Sequence, residues 1–244
     1  FKPLRGLELG LSRSAQWCGE GRPCDLSTFR KLLFGNDNRG VNLSRAQEPG
    51  NQLAGYDFRW ASPLIDLPFA VYGQTIGEDE AGGLPSKFLG QFGVETWGGW
   101  KGTSYRIHLE YSDTACGFAS STPQLNCAYN HGIYRSGYRY RGRSIGFATD
   151  NAARLVAAGV TRIDAWSHPW NLLLRRVRLN RDGGGQNNLT LAAQTINNLE
   201  LSNSLKLGGA RFTWGVGVDR RRDESGNGLS YDERGFFQWE QRLQ

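Results

Sequence analysis

Residue types and patterns that this chain lacks narrow its possible functions. Methionine is absent, and the 244 residues include only three histidines, His108, His131 and His168. No nucleophile motif accompanies any of them, so we do not expect an enzyme. No apolar run approaches the ~20 residues of a membrane-spanning helix. A helical membrane protein is therefore not expected, whereas a β-barrel, whose strands are only half apolar, stays open.

An initiator methionine and a signal peptide are also missing. The chain begins at Phe1-Lys-Pro, which leads directly into a strand pattern. A secreted or outer-membrane protein needs an export signal. We therefore expect a processed product or the C-terminal part of a longer chain, with the N-terminal part of the same protein missing.

A continuous basic stripe is absent as well. The formal net charge is +6, but the 29 Lys and Arg residues are scattered among 23 Asp and Glu residues. Nucleic acid usually requires basic residues massed on one surface. The stretch Tyr-Arg-Tyr-Arg-Gly-Arg at 138–143 is the one candidate, and no nucleic-acid partner is expected.

Cysteine is rare, but its spacing is informative. Four cysteines form two close pairs, Cys18 with Cys24 and Cys116 with Cys127, each in a segment rich in Gly, Pro or Asn. Local pairing into two loop-closing disulfides is the simplest reading and indicates an oxidising compartment. Four free thiols and a shared zinc site are the alternatives. The spacings match no zinc motif, so neither a metal nor another cofactor is expected.

Alternation of apolar and polar residues is the strongest positive signal. The segment 210–219 carries apolar side chains at even positions and Arg, Thr or Gly at the odd positions up to 217. The apolar residues are Phe212, Trp214, Val216 and Val218. Successive side chains of a strand point to opposite faces, so such a segment has one apolar and one hydrated face. Segments of about ten residues with this pattern are typical of tilted membrane-spanning strands.

Ten spanning strands are predicted from this pattern. They cover residues 4–16, 52–60, 67–76, 88–97, 103–112, 153–163, 170–179, 197–207, 210–219 and 236–243. A short helix capped by Asp25 or Ser27 is expected at 26–33. Long surface loops are expected near 17–50, 77–87, 113–151, 180–195 and 223–235.

Connection length alternates along the predicted strands. Long or polar connections follow the odd-numbered strands and short turns follow the even-numbered ones, which is typical of an outer-membrane barrel with its long loops on one rim. Aromatic residues near the strand ends favour the same fold, because such rings lie at membrane interfaces. The predicted fold class is therefore all-β, a transmembrane antiparallel β-barrel. A soluble β-sandwich or small barrel with its apolar face inward is the alternative.

Four motifs, in order, resemble the Wzi family of capsule assembly proteins. They are Leu-Gly-Leu-Ser-Arg-Ser-Ala-Gln-Trp at 9–17, Glu-Pro-Gly-Asn-Gln-Leu-Ala-Gly-Tyr-Asp at 48–57, Tyr-Gly-Gln-Thr-Ile-Gly-Glu-Asp-Glu-Ala-Gly-Gly-Leu-Pro at 72–85 and Tyr-Arg-Tyr-Arg-Gly-Arg-Ser-Ile-Gly at 138–146. The resemblance implies an outer-membrane barrel of about eighteen strands, preceded by a helical bundle. It further implies a surface lectin that helps attach capsular polysaccharide to the bacterial cell. The chain matches only the C-terminal ten strands of that pattern, without the bundle.

Capsular or other surface polysaccharide is thus the expected partner, along with outer-membrane lipid. Sugar rings bind aromatic faces, hydroxyls bind planar polar groups, and acidic sugars bind arginine. The loop near 113–151 is rich in these types, and we predict that it forms part of the binding surface. The predicted contact residues are Tyr129, Asn130, His131, Tyr134, Tyr138, Arg139, Tyr140, Arg141, Arg143 and Asp150. The alternative is that the tyrosines pack the loop on itself and arginine pairs with aspartate.

Acidic residues offer two further possibilities. Glu78-Asp79-Glu80 could hold a cation or act as paired glycosidase carboxylates, although adjacent carboxylates in a loop are usually just solvated. Charged residues of both signs fall on the hydrated face of several strands, which indicates a lumen lined by ion pairs. They are Glu8, Asp57, Glu95, Glu110, Glu240, Arg59, Arg106, Arg211 and Arg242. A porin-like channel for small or anionic solutes is the functional alternative.

Overall fold

The computed structural model describes residues 1–19, 21–34, 50–64, 67–81, 84–132, 134–224, 226 and 228–241. This part of the chain contains one helix, α1 (Leu26–Leu33), and twelve strands. The long strands are β1 (Leu7–Trp17), β2 (Gly50–Ala61), β3 (Phe69–Ala81), β4 (Leu84–Trp100), β5 (Thr103–Asp113), β8 (Arg154–Ile163), β9 (Pro169–Leu179), β10 (Gln194–Leu207), β11 (Ala210–Asp223) and β12 (Leu229–Gln241). Two short strands, β6 (Arg139–Tyr140) and β7 (Arg143–Ser144), lie between β5 and β8.

The ten long strands form one antiparallel sheet. Each strand pairs with its neighbours in the chain, except that β5 pairs with β8 because β6 and β7 form a separate hairpin. Each of the ten predicted strands overlaps one long strand, so the all-β antiparallel prediction is confirmed. Among the described residues nothing pairs with the outer edges of β1 and β12, so the barrel is not closed.

One face of the sheet, here called the outer face, is apolar and exposed. Ile107, Val160, Leu172, Leu201 and Val216 follow one another across five neighbouring strands. Leu172 is 39% exposed and Val216 is 53% exposed. The largest fully buried side chains are Asn and Asp rather than Leu or Phe. A soluble sandwich would bury its large apolar residues, so that alternative is wrong and the outer face is the one suited to lipid.

The opposite, inner face carries charged side chains. Glu95 on β4 accepts from Arg59 on β2 at 2.7 Å and from Arg106 on β5 at 2.6 Å. The Tyr72 hydroxyl on β3 donates to Glu110 on β5 at 2.6 Å. These contacts join side chains from four adjacent strands and agree with the predicted ion pairs. Predicted Arg242 lies outside the described residues.

Two strand pairs extend into segments expected to be loops. In the 77–87 segment β3 and β4 stay paired as far as Ala81 and Leu84. In the 223–235 segment β12 already begins at Leu229 and pairs with Arg222. Backbone pairing needs no apolar side chains, so a hairpin can continue beyond the region where the outer face is apolar. The prediction ended these strands where the apolar alternation stopped.

The sequence also predicted the one helix of the described ranges. Helix α1 spans the expected residues, and the Asp25 carboxylate accepts the backbone N–H of Thr28 at 3.0 Å as its N-cap. These hydrogen bonds hold the pKa of Asp25 below its ordinary value. This helix falls short of the length and apolar character that membrane crossing demands.

Candidate functional site

The long connection between β5 and β8, residues 114–153, is called the mouth loop. Its Tyr129 and Ala128 are buried against Leu53 and Leu89, which belong to the inner face of β2 and β4. On the outer face, at the same end of the sheet, Phe118 of the mouth loop contacts Phe92 of β4, with ring centroids 5.8 Å apart. The mouth loop therefore folds over the end of the sheet where the long loops lie, here called the long-loop rim.

Disulfides close two loops at this rim. Cys18 pairs with Cys24 and Cys116 with Cys127, as predicted from their spacing. The second bridge lies inside the mouth loop, where Cys116 is buried with Tyr129. The bridge thus fixes the part of the mouth loop that packs against the sheet.

Tyr129 anchors the mouth loop to the sheet rather than facing solvent. It is 5% exposed, and its backbone N–H donates to Glu78 Oε1 on β3 at 3.1 Å. Its hydroxyl accepts the backbone N–H of Phe147 at 3.0 Å. Burial raises the pKa of Tyr129 to about 12. The Tyr138 ring stacks on it at 6.3 Å.

Arg139 and Asp150 form a buried ion pair beneath the surface of the mouth loop. The Arg139 Nη2 lies 2.7 Å from Asp150 Oδ1, and the side chains are 5% and 2% exposed. The guanidinium also donates to the Tyr129 carbonyl at 3.0 Å and to Asn130 Oδ1 at 2.8 Å. Asp150 accepts the backbone N–H of Asn188 at 2.9 Å. These bonds commit both side chains to the architecture of the loop.

The β6–β7 hairpin places the remaining arginines on the surface. Arg141 and Gly142 form its two-residue turn with φ values of 49° and 75°, the left-handed pair of a type I′ turn, for which glycine is favoured. Tyr140 is 66% exposed, and the Arg141 guanidinium carbon lies 5.4 Å from its ring centroid. Arg143 is exposed beside them. The Tyr140 ring and the guanidinium groups of Arg141 and Arg143 are therefore all exposed at one tip.

The other predicted contact residues have side chains of intermediate exposure. Asn130, His131, Tyr134 and Tyr138 are half-buried. Asn130 donates to the Gln186 side chain at 3.2 Å, and the Tyr134 hydroxyl donates to the Cys18 carbonyl at 3.3 Å. The structure thus brings all ten predicted residues into one loop, but in three layers of exposure.

A second loop, residues 180–193 between β9 and β10, supports the mouth loop. Buried Asn187 donates to the carbonyls of Thr149 and Asn151 at 3.0 and 2.8 Å. The Asn151 side chain donates back to the Gln186 carbonyl at 3.1 Å. Sequence reasoning missed this role, although a run of asparagines in a loop is a signal for side-chain bonding to nearby backbone.

A cavity lies between the mouth loop and the inner face. Its volume is about 470 Å³, and it opens to solvent. Its polar lining includes Ser12, Ser14, Gln74 and Gln91 from β1, β3 and β4, and its aromatic lining includes Tyr138. Hydroxyls, amides and an aromatic ring are the groups that sugars bind. The sequence prediction did not include these strand residues.

The acidic segment at 78–80 is tied to the same architecture. The Glu78 carboxylate accepts the backbone N–H of Tyr129, which gives it a structural role. The side chains of Asp79 and Glu80 lie outside the described residues. His168 lies in the short turn at the opposite rim, with Nδ1 3.5 Å from Asp164, far along the sheet from the mouth loop.

Comparison with known proteins gives three consistent matches. The family model for capsule assembly protein Wzi matches residues 1–224. An uncharacterized 55.8 kDa protein in the cps region of Klebsiella pneumoniae is 44% identical over 115 residues, which cover 47% of this chain and 22% of that protein. The solved structure of Wzi from Escherichia coli is 31% identical, with a TM-score of 0.78 over 96% of this chain and 48% of the other. That protein is described as an outer-membrane protein involved in group 1 capsule assembly and a carbohydrate-binding β-barrel.

The chain spans about half the length of the solved relative. Within that span the sheet, the exposed outer face and the charged inner face correspond to a barrel wall. The match of the family model to residues 1–224 covers nearly all of this sheet. The chain therefore belongs to the Wzi family of capsule assembly proteins.

Proposed function

We propose that this chain is part of an outer-membrane β-barrel that binds capsular polysaccharide at its long-loop rim and helps attach it to the cell surface, without catalysis. The family supports this role, because the solved relative is described as a carbohydrate-binding outer-membrane protein. The exposed apolar outer face supports the membrane location.

The observation that carries the proposal is the β6–β7 tip. Tyr140, Arg141 and Arg143 are exposed on a hairpin held by the buried Arg139–Asp150 pair. Aromatic rings stack on sugar rings, and arginine pairs with the carboxylates of acidic sugars. Because the base of the hairpin is fixed, little conformational entropy is lost when its tip binds.

Binding would be multivalent. Each tip offers only a few contacts, but a capsule is a repeating polymer that engages many copies in one membrane. Linked weak contacts can exceed any single affinity by 10²–10⁴-fold, roughly, when geometry allows simultaneous binding. Half-buried Tyr134, Tyr138 and His131 and the adjoining cavity extend the proposed surface.

The proposal includes further strands that complete the barrel wall. The outer edges of β1 and β12 are unpaired among the described residues, and an open sheet edge is not tolerated in the hydrocarbon region. The mouth loop and the inner-face ion pairs reduce the space for solutes, so these features favour a binding protein over a porin-like channel.

The test is polysaccharide retention by the full-length protein. Replacing Tyr140, Arg141 and Arg143 together with Ala should weaken capsule binding in a pull-down about tenfold or more, the effect of losing roughly 1.4 kcal/mol or more of contact free energy. The matched control replaces Trp166 and Lys101 with Ala, because both are exposed at the opposite rim. Equal loss in both variants, or unchanged retention by the tip variant in a folded protein, would contradict the proposal.

A further inference from the structure

The outer face changes chemistry near the long-loop rim. Along β9 its outward positions run from Trp170, Leu172 and Leu174 to Arg176 and Arg178. Along β11 the apolar series gives way in the same manner to two arginines. That series is Phe212, Trp214, Val216 and Val218, followed by Arg220 and Arg222. The basic residues therefore form a band directly above the apolar belt.

The register of β10 brings these arginines around one groove. Asn197 pairs with Arg176 on one side and with Arg220 on the other. Thr195, one step nearer the rim on the same face, pairs with Arg178 and Arg222. Neighbouring strands are about 4.8 Å apart, so the two arginine columns are separated by about 10 Å. The shorter side chains between them leave an open groove of about 530 Å³.

The groove carries an excess of positive charge. Arg176, Arg220 and Arg222 make no ion pair with any residue in the described part of the chain. The described lining includes one carboxylate, Glu224, which lies 3.5 Å from Arg178, accepts the Thr195 hydroxyl at 2.6 Å and also attracts Arg222. Like charges held together beside a low-dielectric phase repel each other strongly. A bound anion would offset this repulsion.

We propose that this groove binds the phosphate groups of a phosphorylated glycolipid in the outer leaflet, an inference that rests on the proposed outer-membrane location. Arginine forks match phosphate oxygens bidentately. The row of Leu174, Leu199 and Val218 below the groove is apolar and outward-facing, so it suits the acyl chains of the same molecule. One lipid thus satisfies both halves of the surface.

Two features separate this groove from the polysaccharide surface. It faces away from the inner face and from the cavity beneath the mouth loop. It also lies inside the sheet, on β9, β10 and β11, so it does not depend on the unpaired edges. The adjoining apolar row favours a lipid over free phosphate, which would use the arginines alone.

The experiment measures lipid binding to the full-length protein in detergent by native mass spectrometry. The probes are bisphosphorylated lipid A, the same lipid after phosphatase treatment, and inorganic phosphate as a competitor. The variant replaces Arg176, Arg220 and Arg222 with Gln. Each arginine near a membrane surface contributes about 1 kcal/mol towards an anionic lipid. We therefore expect affinity for bisphosphorylated lipid A to fall roughly 100-fold, and dephosphorylation to have a similar effect on the parent protein.

The matched control is the Arg175→Gln/Arg221→Gln variant. These arginines are the sequence neighbours of the groove residues but lie on the inner face, where they pair with Glu200 and Asp232. Parent-like affinity in the control supports the proposal. Parent-like affinity in the groove variant, equal binding of dephosphorylated lipid, or complete competition by millimolar inorganic phosphate would overturn it.

A polysaccharide pull-down with the same variants separates the two proposals. If the groove variant loses lipid A but retains capsule, both proposals stand. If the protein binds lipid A through the arginines but never binds capsule, only the polysaccharide role fails. If capsule binding persists while lipid binding is independent of the arginines, only the lipid site fails.

Discussion

At the scale of single residues, the mouth loop depends on a few buried polar contacts. Arg139 and Asp150 pair at 2.7 Å with little exposure of either side chain. Breaking one partner of such a pair leaves an uncompensated buried charge, whereas an exposed arginine can be lost with little effect. Replacing buried Arg139 should therefore destabilise the loop, whereas replacing exposed Arg143 should have little effect on its stability.

Arg139→Gln should loosen the mouth loop by about 3–5 kcal/mol, the usual cost of breaking a buried ion pair. Limited proteolysis should then cut between residues 129 and 150 while the strands stay intact. Arg143→Gln, on the exposed strand of the same hairpin, should leave the cleavage rate unchanged. Equal resistance of both variants would show that the pair does not hold the loop.

The sequence placed ten candidate contact residues in one loop but did not predict how their exposure differs within it. Aromatic, asparagine and arginine residues at 129–150 indicated a binding surface, and the structure brings these residues together. Whether Arg139 or Arg141 points outward depends on a two-residue turn and on partners as distant as Asn188. Alternation does not extend through an irregular loop, so single-sequence reasoning had no periodic signal for burial there.

At the scale of elements, the positions of the long strands could be predicted from the sequence, but the residues at which they end could not. The period of two located all ten long strands, and the predicted gap between residues 207 and 210 is the two-residue turn Gly208-Gly209. The end of β4 was predicted three residues too early, because that strand continues to Trp100 and turns at Lys101-Gly102. The β3–β4 hairpin and β12 extend further because their polar segments still pair through the backbone. Leu229 and Tyr231 alternate with Ser230 and Asp232, a signal that was available but short.

The Cys116–Cys127 bridge should stabilise the mouth loop alone. It closes a loop with a sequence separation of 11, for which chain entropy predicts a contribution of about 3 kcal/mol. In the Cys116→Ser/Cys127→Ser variant, hydrogen exchange should accelerate across residues 114–151 and not in β5 or β8. The Cys18→Ser/Cys24→Ser variant is the control and should affect mainly the segment before α1. Faster exchange throughout the sheet in the first variant would refute a local role.

At the scale of the whole molecule, the sheet is a wall between two environments. Its outer face is apolar with a basic band at one rim, and its inner face carries ion pairs. The alternation of apolar and polar residues was enough to predict that the sheet has one apolar and one polar face. The exposure of the large apolar residues decided which face is outward, and this follows from strand curvature and pairing that no local pattern contains.

The mouth loop should act as a removable cover. Asp113 pairs directly with Arg154, so a turn of about two to five residues can replace residues 114–153 without moving β5 or β8. In planar bilayers the full-length parent should not conduct, and the shortened protein should show discrete ion conductance. A two-residue insertion between Gly208 and Gly209 at the opposite rim is the control and should stay silent. Conductance by the parent itself would instead support the channel alternative.

The β6–β7 turn also has an evolutionary consequence. The side chains at its tip contact solvent, whereas the Arg139–Asp150 ion pair that holds the hairpin is buried beneath them. Any related sequence that keeps Arg139 and Asp150 can keep the same hairpin. Under the proposed function, the polysaccharide that is bound can change through a few substitutions at this tip without disturbing membrane insertion. Strains with chemically different capsules would then differ at positions 140, 141 and 143 and keep Arg139 and Asp150. Exchanging the three tip side chains between two such proteins would exchange which polysaccharide each one binds.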